Sequence, residues 1–199
     1  MKRVSLTARN PSSLVIDNLY PQGRERDAAV AGLYCDFQAR QDQTIDRIMG
    51  AILKELVGRG NIPEYLREAF RKEFAGRGLR LPDLTGLLRK AVASLPQVFI
   101  CIDGLDEFLP QDLPVLLQLL RDIVQESPST RIFLTGRPTV REAIQECFPE
   151  AIVIPVRPNK DDIKSYLEMR LDRDHLKKVM NNDLRADIVR IFQEKMSDM

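Results

Sequence analysis

The sequence predicts an α/β fold: a mainly parallel sheet with helices on its faces, followed by a small helical segment. Three observations carry that expectation. Short apolar runs at 98–102, 132–135 and 152–156 have the length and β-branched content of strands buried in a parallel sheet. Stretches with apolar residues at i, i+3, i+4 and i+7 lie among them, as helices on the faces of a sheet require. Charged side chains stand directly after two of the runs, where the ligand crevice of an open parallel sheet opens.

Taken in chain order, Ser12-Ser13-Leu14-Val15-Ile16-Asp17-Asn18-Leu19 reads as a short serine-capped helix, and 28–37 as a strand. The clearest helix is 44–57, where Ile45, Ile48, Met49, Ile52, Leu53 and Leu56 form one stripe. Pro63 opens a second helix through Phe74, and Gly76-Arg-Gly78 breaks it. Leu84, Leu87, Leu88, Ala91, Val92 and Leu95 make a third stripe, leading into the strand 98–102. Leu113, Leu116, Leu117, Leu120 and Val124 make a fourth, before the strand 132–135. A helix around 140–147 then leads to a strand at 152–156. From Asn159 the pattern is helical only, with Ile163, Tyr166 and Leu167 in one segment and Leu184, Ile188, Ile191 and Phe192 in another. Three segments follow: 1–11, a core over 12–158, and the start of a helical subdomain over 159–199. The last helical pattern runs to Met199 without a Gly or Pro stop signal, which predicts a piece of a longer product.

Composition narrows the class of function. At 199 residues, 44% hydrophobic and 30% charged, the chain reads as an ordinary globular protein. Thirty basic and 29 acidic side chains leave a formal net charge of +1, so nothing attracts nucleic acid or an anionic membrane in general. No run approaches the roughly 18 apolar residues that span a bilayer, and the start is too weakly apolar for a secretory signal. A cytoplasmic protein with no nucleic-acid or membrane partner is expected. Cys35, Cys101 and Cys147 lie far apart without C-x-x-C spacing and read as free thiols rather than a disulfide or metal set. His175, the one histidine, sits in a charged stretch and reads as a solvated helix residue; Tyr20, Tyr34 and Phe37 read as core.

The chemistry concentrates at Val98-Phe-Ile-Cys-Ile-Asp-Gly-Leu-Asp-Glu107 and Phe133-Leu-Thr-Gly-Arg-Pro138. A nucleotide-bound magnesium is held by one or two carboxylates, waters and the substrate phosphates, and Asp103 at a strand end suits that contact. Gly104 leaves room beside it. Glu107, with Asp106 second, is placed to orient a water for attack on a terminal phosphate. Arg137 follows the next strand, within reach of the same crevice, and its guanidinium suits forked hydrogen bonds to phosphate. The plainer alternatives are a solvated acidic loop capping the next helix and an arginine in a surface ion pair. The matching phosphate loop is missing: there is no glycine from Met1 to Gln22, hence no Gly-x-x-x-x-Gly-Lys-Ser/Thr there.

Together with Gly32-Leu-Tyr-Cys-Asp-Phe37, Ile48-Met-Gly-Ala-Ile-Leu-Lys-Glu-Leu56 and Asp162-Ile-Lys-Ser-Tyr-Leu-Glu-Met-Arg-Leu171, these motifs resemble the NACHT domains of fungal signalling proteins. Those domains are STAND-class P-loop ATPases, often labelled nephrocystin-3-like N-terminal domains. The resemblance runs from about Ser12 to the end. It implies a partial P-loop NTPase three-layer sandwich, with Asp103 on magnesium, Asp106 and Glu107 as the extended acidic motif and Arg137 as the sensor arginine. By the same resemblance, the family's phosphate-loop strand lies between the strands at 132–135 and 152–156. Magnesium with ATP or GTP is the cofactor set of the parent family, and protein partners or self-association are implied. For this chain the missing loop leaves three readings: a signalling-NTPase piece inactive alone, a nucleotide-free interaction module using no cofactor, and an ATP-dependent switch completed by an upstream segment.

Overall fold

A computed structural model describes residues 15–19, 28–58, 62–74, 79–156, 160–173 and 182–197. The chain divides into two compact units, Met1–Ala151 and Ile152–Met199. Ser12, Ser13 and Leu14 of the expected first helix, Tyr20, the Gly76-Arg-Gly78 break and His175 lie outside the described residues.

The first unit holds a three-stranded parallel sheet in the order β1 (Ala28–Tyr34), β2 (Gln97–Asp103), β3 (Thr130–Leu134). β2 is central and parallel to both neighbours, as its continuous apolar run requires. Register pairs Tyr34 with Asp103 and Ile102 with Leu134, so the carboxyl ends of all three strands finish at one edge of the sheet. β-Alternation sends Val98, Ile100 and Ile102 to one face, where they join the main apolar cluster. That cluster is completed by α2 (Ile45–Val57), α3 (Glu64–Phe74), α4 (Leu81–Ala93) and α5 (Leu113–Glu126), through Met49, Ile52, Leu66, Leu88, Leu116 and Leu120. The short helix α1, residues 15–19, serves the opposite face. Ile16 lies so close to Gly32 of β1 that a Cβ there would meet its Cδ1 at 3.2 Å.

Local sequence explains where elements begin and end. Thr44 caps α2, its hydroxyl accepting the Arg47 N–H at 3.4 Å, and the expected stripe of Ile48, Met49, Ile52, Leu53 and Leu56 is buried. In α5 the buried stripe takes Ile123 rather than Val124. β1 stops at Tyr34 instead of running to Phe37, because Asp36 caps a 3-10 turn over Phe37–Ala39 by accepting the Gln38 N–H at 2.9 Å. Tyr34 and Phe37 are therefore not core: they are 54% and 65% exposed. After β3, a 3-10 turn (Pro138–Val140) leads into α6 (Arg141–Cys147).

The strand expected at 152–156 does not form. These residues are irregular and exposed, with Ile152 at 90%, Ile154 at 72% and Val156 at 69%. A strand forms only where a neighbour accepts its backbone groups, and among the described residues no strand lies beside β3 on its outer edge. The segment has the β-propensity, but among the described residues it has no partner strand.

The second unit contains α7 (Lys160–Arg173) and α8 (Asn182–Ser197), which pack together and share the ion pair of Arg185 with Asp172. Tyr166, Leu184, Ile191 and Phe192 of these helices are exposed. Among the described residues no helix is long and apolar enough to cross a membrane.

Candidate functional site

Asp103, Asp106, Glu107 and Arg137 all stand at the carboxyl end of the sheet, on the turn after β2 and the turn after β3. The two turns are stitched by backbone and side chain alike. Thr135 donates its N–H to the Ile102 carbonyl at 3.0 Å and accepts the Leu105 N–H on its own carbonyl at 2.9 Å. Its hydroxyl donates to Asp103 Oδ1 and accepts the Gly104 N–H at 3.1 Å. Thr135 thus orients the carboxylate expected to meet magnesium, a role its sequence position, one residue past an apolar strand, did not declare. Replacing Thr135 by valine is expected to cost about 1–3 kcal/mol, the penalty of stranding a partly buried donor and acceptor; thermal unfolding measures it, and an unchanged midpoint would contradict it.

Gly104 matters for a reason other than free space near a metal. Its φ of 74° lies in the left-handed region, and this conformation swings the chain into the 3-10 turn Leu105–Glu107. Leu105 and Phe108 are driven into the core on either side, while Asp106 and Glu107 between them are only partly buried. Gly136 answers a second steric demand, since a Cβ there would come within 2.7 Å of Val140 Cγ2 and 3.4 Å of Asp106 Oδ1.

Asp106 and Arg137 meet directly. Asp106 Oδ1 accepts the Arg137 backbone N–H at 2.9 Å, while Oδ2 lies 3.3 Å from Nε of its guanidinium. The carboxylate is mostly buried and the guanidinium mostly exposed. Glu107 turns the other way, and its Oε2 accepts the Phe37 N–H at 3.0 Å, across to the turn that follows β1. Arg40 locks that turn from behind, donating Nε and Nη2 to the Phe108 carbonyl at 3.2 and 2.8 Å with its guanidinium 5.7 Å from the Phe37 ring centre.

Beneath the acids lies Cys35, whose N–H donates to the Asp103 carbonyl at 2.9 Å. Burial, then the Glu107, Asp103 and Asp106 carboxylates, push its thiol up to about 11, and burial does the same to Cys101. Both are free, as is Cys147. Tyr34 is raised too, by burial first and then by the Asp103 and Asp17 carboxylates. In the unfolded chain these thiols begin to ionise near the ordinary value of 9.0, whereas the folded chain holds them protonated to about 11. Folding stability should then fall as pH rises through that window, because the unfolded state releases protons that the folded state keeps. Native-state alkylation of Cys35 and Cys101 should be about 100-fold slower than in denaturant at the same pH, because the folded chain carries that much less of the reactive thiolate; equal rates would contradict it.

The donor set fits a hard cation bridged to phosphates. Asp103 offers carboxylate oxygens at a strand end, and magnesium takes one or two such oxygens together with water and substrate oxygens. Among the described residues no group of three or more His, Cys, Asp or Glu gathers as a self-sufficient metal cage.

The family model described as Nephrocystin 3, N-terminal, matches residues 11–137, which spans the sheet, the acidic turn and Arg137. No curated protein matches the sequence significantly. Among solved structures, that of the Aeropyrum pernix ORC1 protein in complex with DNA is similar, with a TM-score of 0.51 and 21% identity. The alignment covers 80% of this chain and 39% of that one, so the chain spans well under half the length of its structural neighbour. At this identity the likeness is one of fold, an α/β arrangement of a parallel sheet with helices on its faces.

Proposed function

The chain belongs to the nephrocystin 3 N-terminal family, and from that premise we propose that it is a NACHT-type module of a STAND-class signalling NTPase of the fungal kind. The core is 12–158 and the start of a helical subdomain is 159–199. Asp103 would hold magnesium, which supplies charge neutralisation at the phosphates when bound. Glu107, with Oε2 fixed by Phe37, presents Oε1 to orient an attacking water, and Asp106 is the second acid. Arg137 reads the terminal phosphate, exchanging its Asp106 partner for phosphate oxygens. The observation that supports this reading most is the double contact of Asp106 with Arg137, which holds the acidic turn and the arginine turn as one unit. An acidic loop that only capped a helix has no need of it.

The sequence contains no Gly-x-x-x-x-Gly-Lys-Ser/Thr anywhere in its 199 residues. The chain by itself is therefore proposed to bind nucleotide weakly and to act through protein contacts, with a switch restored where another segment supplies the phosphate contacts. DNA does not enter this reading, because 30 basic and 29 acidic side chains give no general attraction to it. Cytoplasmic location is part of the same proposal. A chimera that places a strand and a Gly-x-x-x-x-Gly-Lys-Ser loop ahead of Ser12 tests it. Micromolar magnesium-ATP binding that Asp103→Ala abolishes is expected; a folded chimera with no gain would count against the site.

A further inference from the structure

Arg40 does not give its guanidinium to a carboxylate. Carboxylates are its strongest partners, and two exposed ones stand close in sequence at Asp36 and Asp42. Asp42 pairs with Arg47 instead, at 3.2 Å. Arg40 directs both Nε and Nη2 at one neutral acceptor, the Phe108 carbonyl, at 3.2 and 2.8 Å. Phe108 is the residue directly after Glu107. Three residues before Arg40, the Phe37 N–H donates to Glu107 Oε2 at 3.0 Å. One turn therefore grips the main chain beside Glu107 and the carboxylate of Glu107 at the same time.

A clamp of this kind sets a position only if the turn between its two grips is stiff. Asp36 Oδ1 accepts the Gln38 N–H at 2.9 Å, the Ala39 N–H donates to the Asp36 carbonyl at 3.1 Å, and the Arg40 N–H donates back to the Phe37 carbonyl at 3.3 Å. Gln43 braces the turn from its far side, where its Oε1 accepts the Asp36 N–H at 3.1 Å and its Nε2 donates to the Asp36 carbonyl. The next residue is Thr44, the cap of α2, so the turn is tied to the start of that helix. The acceptor is just as fixed, because the Phe108 ring lies in the main apolar cluster. A glutamate held at one point still turns about its side-chain torsions. Held at the main chain and at Oε2, Glu107 has its Oε1 set in place, and reacting groups are sensitive to such placement.

We propose that Arg40 is a positioning residue for Glu107, acting through the Phe108 carbonyl and the Phe37 N–H to aim the carboxylate that orients the attacking water. The inference rests on the reading of Glu107 as that acid. NMR titration of the folded 199-residue chain tests the clamp. The Phe37 amide shift is expected to follow the ionisation of Glu107, observed at its carboxyl carbon, and to lose that response in Glu107→Gln. In Arg40→Ala, and in Gln43→Ala as a second variant, the Glu107 carbon should still titrate while the Phe37 response is lost. An Arg40 that only stabilised the fold would lower the unfolding midpoint and leave the response intact, and that result would overturn the proposal. In the chimera with a restored phosphate loop, Arg40→Ala should lower kcat about 10- to 100-fold with the KM for magnesium-ATP unchanged. An unchanged kcat would overturn the proposal too. A folded chimera that hydrolyses nothing would sink the nucleotide reading by itself, and the clamp would still stand or fall by the Phe37 amide.

Discussion

Replacing Phe108 by alanine is expected to destabilise the first unit by about 3–5 kcal/mol, the range for emptying a fully buried aromatic site. Phe108 is 1% exposed and packs with Leu105, Leu113, Leu116 and Val140 in the main cluster. It also closes the acidic turn, its N–H donating to the Leu105 carbonyl at 3.2 Å and its carbonyl accepting both Arg40 bonds. Cavity and turn are therefore coupled: a collapse around the void draws the carbonyl away from Arg40 and loosens the link from Phe37 to Glu107. Urea unfolding followed by circular dichroism gives the stability, and exchange of the Phe37 amide reports the site. A loss below about 1 kcal/mol would show that the ring is not an anchor.

The parts of the fold that could be read in the sequence are those whose signal is local. The stripe of α2 and its threonine cap need nothing beyond the helix itself and the sheet it lies on, and both are found as expected. β2 was legible for a similar reason, since a continuous apolar run bounded by charge has few places other than the centre of a parallel sheet. Strands whose existence depends on a neighbour were not. Residues 152–156 carry as strong a β-pattern as β3, yet they remain exposed because pairing is a property of two segments. The end of β1 failed on a single side chain: Asp36 offers its carboxylate to Gln38 and wins the backbone for a turn.

At the site, residue types were legible and contacts were not. Asp103, Asp106, Glu107 and Arg137 stand out because charge after a buried strand has few structural explanations. Their mutual arrangement follows from register, which sequence leaves open: Ile102 beside Leu134 is what brings Thr135 under Asp103. Cys35 and Phe37 enter from the end of β1 and had no signal beyond sitting after an apolar run. The exposure of Tyr34 and Phe37 is the clearest error of composition-based reading, for aromatics at a strand's carboxyl end lie beyond the helices that would have covered them.

The second large effect concerns nucleotide affinity. A phosphate loop gives the phosphates several backbone amides and a lysine, and the sequence has no such motif. Falling from micromolar to millimolar affinity requires only about 4 kcal/mol, within what a few lost charge-assisted hydrogen bonds supply. Asp103, Asp106 and Glu107 repel a triphosphate unless magnesium lies between, and the Arg137 charge is already engaged by Asp106. On the proposed reading, this chain holds the acidic and arginine half of a nucleotide site without the half that anchors phosphate. Calorimetry with magnesium-ATP and magnesium-ADP on the folded 199-residue chain tests that claim most directly. A dissociation constant in the millimolar range or weaker is predicted for both nucleotides. Micromolar binding, or phosphate release that Glu107→Gln abolishes, would contradict the claim and show that other residues of this chain do the work of the loop.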